Sequence, residues 1–142
     1  MTYSQKDSPK LNLHIIQAEQ SGLPGAIGSS TYLHYLANHT IRNLNRNTSC
    51  PTSLPNPKAS DGYTCDEYPF ASTYEGAGTG SGGPARSFDG CFMTDSPDTG
   101  DTGFSRCYVP GDEQDTQGRV IANTISSQQL LDGDPYQVTF GA

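Results

Sequence analysis

The stretch Cys65-Asp66-Glu67-Tyr68-Pro69-Phe70-Ala71-Ser72-Thr73-Tyr74-Glu75-Gly76 holds three carboxylates, two tyrosines, a proline and a cysteine. No other part of the chain is so dense in groups that can do chemistry. Asp66 and Glu67 are adjacent, with a cysteine behind them and a proline ahead. Their oxygens suit a hard divalent cation, and either carboxylate can take a proton from water. The plainer alternative is a solvated acidic turn, and the elements around the pair must decide.

Those elements have little apolar material to work with. The chain has 142 residues, enough for one domain, but only 32% are hydrophobic and there is no Trp. Its 16 glycines and 10 prolines make it rich in loops without reaching the composition of a disordered chain. A core this thin needs staples. Cys50, Cys65, Cys91 and Cys107 allow three pairings. Cys50–Cys65 and Cys91–Cys107 are favoured because each closes a short loop; on the chain-entropy model a loop of about 15 residues contributes roughly 3 kcal/mol. A zinc site fits less well. No two cysteines have the spacing of a zinc knuckle, and His14, His34 and His39 all precede Cys50.

Disulfides imply an oxidising compartment. No apolar run reaches the length of a secretory signal or a membrane span. The expectation is therefore a chain whose leader has been removed, or the toxic C-terminal end of a larger exported protein, with no membrane partner. The net charge of −7 argues against diffuse nucleic-acid binding, which depends on Lys and Arg.

Along the chain, Met1 to Pro9 reads as a flexible start, and Leu11 to Ile16 as a strand from its partial alternation. Ser21 to Gly25 is turn chemistry. Ser29 or Ser30 caps an expected helix over Thr31–Asn45, with Leu33, Leu36, Ala37, Ile41 and Leu44 on one face. His34 and His39 read as surface or satisfied side chains. Asn47 to Tyr63 is a proline-rich loop, and Gly76 to Gly83 has linker composition. The latter lacks the Lys-Ser/Thr ending of a phosphate-binding loop. Short strands are expected at Arg86–Phe88, Cys91–Met93 and Arg106–Val109. Between them, Asp95 to Gly103 has the composition of a calcium loop without its ligand spacing. A helix is expected over Glu113–Leu131, with carboxylates at its N-terminus, and a closing strand over Tyr136–Phe140.

Strand, strand, then helix is the outline of a small metal-dependent nuclease site, in which a base activates water and oxygen ligands hold a cation. Asp66 and Glu67 supply carboxylates, and Gln114 a neutral oxygen at the helix start. The Cys65–Gly76 stretch also resembles the signature of the NucA/NucB family of secreted bacterial deoxyribonucleases, most closely its actinobacterial branch. Val109-Pro110-Gly111-Asp112-Glu113-Gln114-Asp115-Thr116-Gln117-Gly118 is similar to that family's second motif, and Leu131-Asp132-Gly133-Asp134-Pro135-Tyr136 to its closing segment.

The resemblance implies an α+β fold, a small disulfide-stapled domain with a ββα-metal (His-Me finger-like) core, over residues 29–142, after an N-terminal extension at 1–28. It implies an endonuclease that hydrolyses DNA with little sequence preference, using Mg²⁺ or Mn²⁺. Asp66 and Glu67 carry over as base and metal-site pair, in either order, with Glu75 in support. Glu113 and Gln114 are the helix-borne metal candidates. Gln114 departs from the family's usual Asn by one methylene, so a direct bond to the cation needs a shift or a bridging water. Arg42, Arg46 and Arg86 are candidates for holding DNA phosphates, and the cation itself would offset the acidic charge locally. Secretion or export follows, and a toxin domain would bring a cognate inhibitor protein. The alternative from another class is a disulfide-stapled binding module whose acidic loops hold calcium.

Overall fold

The computed structural model describes residues 1–4 and 6–141. Its centre is a three-stranded sheet in the order β3 (Tyr63–Tyr68), β5 (Phe104–Pro110), β4 (Ala85–Arg86). β3 and β5 are antiparallel and β4 joins β5 in parallel. Two small strand pairs flank this sheet. β1 (Thr2–Ser4) runs parallel to β7 (Thr139–Gly141), and β2 (Leu33–His34) antiparallel to β6 (Pro135–Tyr136). Helices α1 (Pro9–Gln20), α2 (His39–Ser49) and α3 (Gly111–Ser127) pack around the sheet.

Period-two alternation divides the sheet's two faces. On β5, Ser105, Cys107 and Val109 are buried; His14 of α1 bonds Ser105, and Cys107 and Val109 join Leu11 and Ile15 of α1 in the core. Arg106 and Tyr108 turn to the other side, toward the end of α2 and the proline-rich loop, where they bond the carbonyls of Ser49 and Pro55. The register sets Asp66 beside Cys107 and Glu67 beside Arg106. Residues opposite each other in an antiparallel pair share a face. Asp66 therefore points to the α1 side and Glu67 to the α2 side of one strand.

Both disulfides form as expected, Cys50–Cys65 with Cα atoms 5.9 Å apart and Cys91–Cys107 at 4.4 Å. The first ties the end of α2 to β3, one residue before Asp66. Mixed helix and strand bears out the α+β class.

Several local expectations are corrected. Leu11–Ile16 is helix, not strand. Leu11, His14, Ile15 and Ala18 recur at three and four and are buried, whereas Leu13, which completed the apparent alternation, is exposed. Met1 to Ser4 is not a loose start, since Tyr3 is buried and β1 pairs with β7. The helix expected over Thr31–Asn45 begins only at His39, with the Asn38 side chain accepting from the Ile41 N–H as N-cap. Leu33 and Leu36 are buried from the strand and turn before it. Cys91–Met93 forms no strand, and α3 ends at Ser127 rather than Leu131.

The glycine-rich segment is not a linker either. It folds over the buried Asn45 of α2, whose Oδ1 accepts from the Gly78 and Thr79 N–H groups at 2.8 and 2.9 Å. A Cβ on Gly76 would meet the Asn45 side chain at 2.4 Å, so only glycine fits there.

Candidate active site

A cavity of about 300 Å³ lies along the free edge of β3. β3 supplies Asp66 and Glu67, α2 supplies His39, Arg42, Asn43 and Arg46, and α3 supplies Gln114, Gln117, Gly118 and Ile121. The α3 residues follow the spacing of one helix face, so α3 forms a wall opposite α2. Phe70 to Ser72 closes one end.

Asp66 is 2% exposed. Its Oδ2 accepts from Nδ1 of His14 at 2.6 Å, and His14 Nε2 lies 2.7 Å from the Ser105 hydroxyl. Its Oδ1 has no hydrogen-bond partner among the described residues. Glu67 is 7% exposed. Its Oε2 accepts from Ser49 Oγ at 2.6 Å, while Oε1 is buried without a partner. Burial pushes the Glu67 carboxyl above its ordinary range, opposed by the Ser49 hydrogen bond and the charge of Arg46, and assisted by the charge of Asp66. Gln117 Nε2 is likewise buried and unpartnered. Glu67 and Gln117 both line the cavity, so its wall carries an acceptor and a donor that the fold leaves unsatisfied, and buried polar groups seldom go unpaired without a ligand or water to meet them.

Gln114 anchors itself by donating from Nε2 to the Cys65 carbonyl at 2.7 Å, which leaves Oε1 as the free end of its amide. Arg46 is exposed, and its side chain makes no hydrogen bond or ion pair among the described residues. Arg42 lines the cavity but is tethered to Leu36 O and the Tyr35 hydroxyl, each at 2.7 Å.

Three expected site residues lie elsewhere. Glu113 does not face the cavity. Its Oε1 accepts from the Lys10 and Leu11 N–H groups at 2.9 and 3.0 Å and so caps the N-terminus of α1, where a helix leaves donors unsatisfied. Glu75 does not line the cavity; it bonds the backbone N–H and Nδ1 of His34 and braces β2. Arg86 is 1% exposed on β4, and its guanidinium binds Ser21, Gly100 and Thr102. It is a structural clamp, out of reach of any DNA phosphate.

His14, Ser49 and Gln117 were given no role from the sequence. Only Gln117 had a local signal, within the motif that opens α3; the other two meet the site through contacts distant in sequence.

Residues 26–139 match the sequence profile of the family described as Deoxyribonuclease NucA/NucB. The chain belongs to this family. The NucA/NucB membership makes it a nuclease by descent. The match takes in β3, β5, α2 and α3, hence every wall of the cavity, and begins after His14. No match was found among curated proteins.

The fit of a divalent cation to this NucA/NucB cavity rests on the donors present. Among the described residues no three His, Cys, Asp or Glu side chains converge as a metal cluster. Asp95, in the calcium-like loop, is instead paired with Arg106 Nε at 2.8 Å and bonded by Ser87. The cavity offers the unpartnered Glu67 Oε1 and the Gln114 amide oxygen. That sparse, all-oxygen set suits Mg²⁺, which keeps several waters and takes one or two carboxylates together with substrate phosphate.

Proposed function

We propose that the chain is a divalent-metal-dependent endonuclease that hydrolyses DNA phosphodiester bonds at the free edge of β3. The observation that carries this reading is the buried, unpartnered Glu67 oxygen beside Asp66, in a cavity walled by α2 and α3 of a NucA/NucB chain.

Glu67 Oε1 and Gln114 Oε1 are the oxygens that would hold Mg²⁺ or Mn²⁺. A cation there would polarise a phosphate oxygen and offset developing negative charge. Asp66 is the base. One of its oxygens is occupied by His14, which leaves Oδ1 to accept the proton of a water attacking phosphorus. Arg46 and the Gln117 amide N–H hold the non-bridging phosphate oxygens, the first as a free cation at the rim and the second as a fixed donor within. All these contacts fall on phosphate rather than base edges, so little sequence preference is expected. They also concentrate positive charge locally in a chain of net charge −7.

Two disulfides support an extracellular or exported enzyme. No helix among the described residues is long and apolar enough to cross a membrane. Plasmid digestion with Mg²⁺ or Mn²⁺, with and without chelator, tests the reading. Cutting that chelator abolishes is expected; no cutting with any divalent cation would favour a binding module.

A further inference from the structure

The base has a support that lies outside the matched family segment. His14 stands on α1, and its ring joins Asp66 of β3 to Ser105 of β5. All three residues are buried, His14 to 1% exposure and Ser105 to 0%. A serine, a histidine and an aspartate in line resemble a nucleophilic triad, but a hydroxyl with no exposure cannot meet a substrate. The line has another use. Only Asp66 reaches the cavity, so the chain of hydrogen bonds ends at the reacting side.

The direction follows once Asp66 is ionised, as a base must be, and the ring is neutral. A carboxylate only accepts, so Nδ1 must carry the hydrogen that bonds Asp66 Oδ2. A neutral ring then has Nε2 as acceptor, and the Ser105 hydroxyl donates to it. Both ring nitrogens are satisfied without a charge on the ring. The ring cannot flip without breaking both bonds, and the Asp66 carboxylate cannot rotate without losing its donor.

We propose that His14 is a positioning residue that holds the Asp66 carboxylate with Oδ1 turned toward the cavity, and that Ser105 fixes the ring tautomer for this task. The proposal rests on the reading of Asp66 as the base. It also gives α1 a part in the activity, although α1 precedes the segment that matches the family.

His14→Asn and His14→Leu separate this role from simple packing. The Asn amide nitrogen stands where Nδ1 stands and can still donate to Asp66; Leu fills the space without a donor. On folded protein, His14→Leu is expected to lower kcat by about 10–100-fold, the usual cost of losing an outer partner of a site group, with KM little changed. His14→Asn should recover most of that loss. Wild-type kcat in His14→Leu, or no recovery in His14→Asn, would overturn the proposal.

Nitrogen-resolved NMR of the unsubstituted protein gives a second test that needs neither variant to fold. The ring should be the Nδ1–H tautomer, with its Nδ1 proton protected from exchange. The Nε2–H tautomer would overturn the proposal as well. A wild type that cuts no DNA sinks the nuclease reading instead, and the tautomer measurement still stands apart from it.

Discussion

The two edges of the central sheet carry similar residues and treat them in opposite ways. At the β4 edge, Arg86 is buried and spends both terminal guanidinium nitrogens on Ser21, Gly100 and Thr102, so that only its Nε lacks a partner. At the β3 edge, among the described residues, Arg46 is free, Glu67 keeps an unpartnered oxygen and Gln117 an unpartnered amide nitrogen. One edge uses charge to close the fold. The other leaves charge unspent, facing a cavity. A charged residue in this chain is therefore informative through what it has left to bond, not through its type.

Exchanging the two arginines is the sharpest way to break this contrast. Arg86→Met leaves the Gly100 and Thr102 carbonyls without their donor, while Ser21 O keeps the Gly100 N–H, at about 1–3 kcal/mol for each buried group left unsatisfied. A stability loss of roughly 3 kcal/mol is expected in denaturant melts, with unchanged activity per folded molecule. If Arg86→Met melts like the wild type yet cuts poorly, the two edges have been assigned the wrong way round. Arg46→Met should do the reverse. Losing a charge-assisted contact to phosphate costs about 1.5–3 kcal/mol, so kcat/KM should fall roughly tenfold or more with no change in melting.

Glu113 sharpens the comparison within the motif itself. Glu113→Gln weakens a carboxylate cap on α1 and should cost about 1 kcal/mol of stability while cleavage and Mn²⁺ affinity stay as they were. A marked loss of Mn²⁺ binding would return Glu113 to the metal site.

The smallest expected effect concerns Glu19. The Tyr68 hydroxyl has one proton but faces two acceptors, Glu19 Oε2 at 2.7 Å and Pro24 O at 2.6 Å. An ionised Glu19 takes that proton, and a protonated Glu19 can donate to the hydroxyl and free it for Pro24 O. Burial raises the Glu19 carboxyl from 4.5 to about 7, opposed by the hydrogen bond that Tyr68 donates to it. Since the folded value is the higher one, this contribution is full below about 4.5 and is lost as pH rises through about 7. Melting curves of wild type and Glu19→Gln, which mimics the protonated acid, should diverge across that window. Parallel curves would contradict a protonated Glu19.

Much of the candidate site was legible because its residues are local in sequence. The Asp66-Glu67 pair, the helix start at Gln114 and the two short disulfide loops sit in contiguous motifs. The failures have physical causes. Glu113 and Gln114 are neighbours in sequence, but successive helix residues are turned by about 100°, so one meets α1 and the other the cavity. Leu11, Leu13 and Ile15 alternate by chance within a helix, and that hid both α1 and His14. Contacts such as His14–Asp66 span 52 positions and leave no trace in any local pattern. The glycines around Asn45 looked like a linker because composition does not register a buried amide that gathers a loop about itself.

The central claim, that the free edge of β3 is the catalytic centre, is tested most directly by Glu67→Gln. This change keeps the shape, can still bond Ser49 and removes the charge. Plasmid cleavage with Mg²⁺ should fall by about 10²-fold or more, in the range of losing a group that acts in the transition state, with melting equal to or above that of the wild type. Cleavage within a few-fold of wild type by a fully folded Glu67→Gln would contradict it.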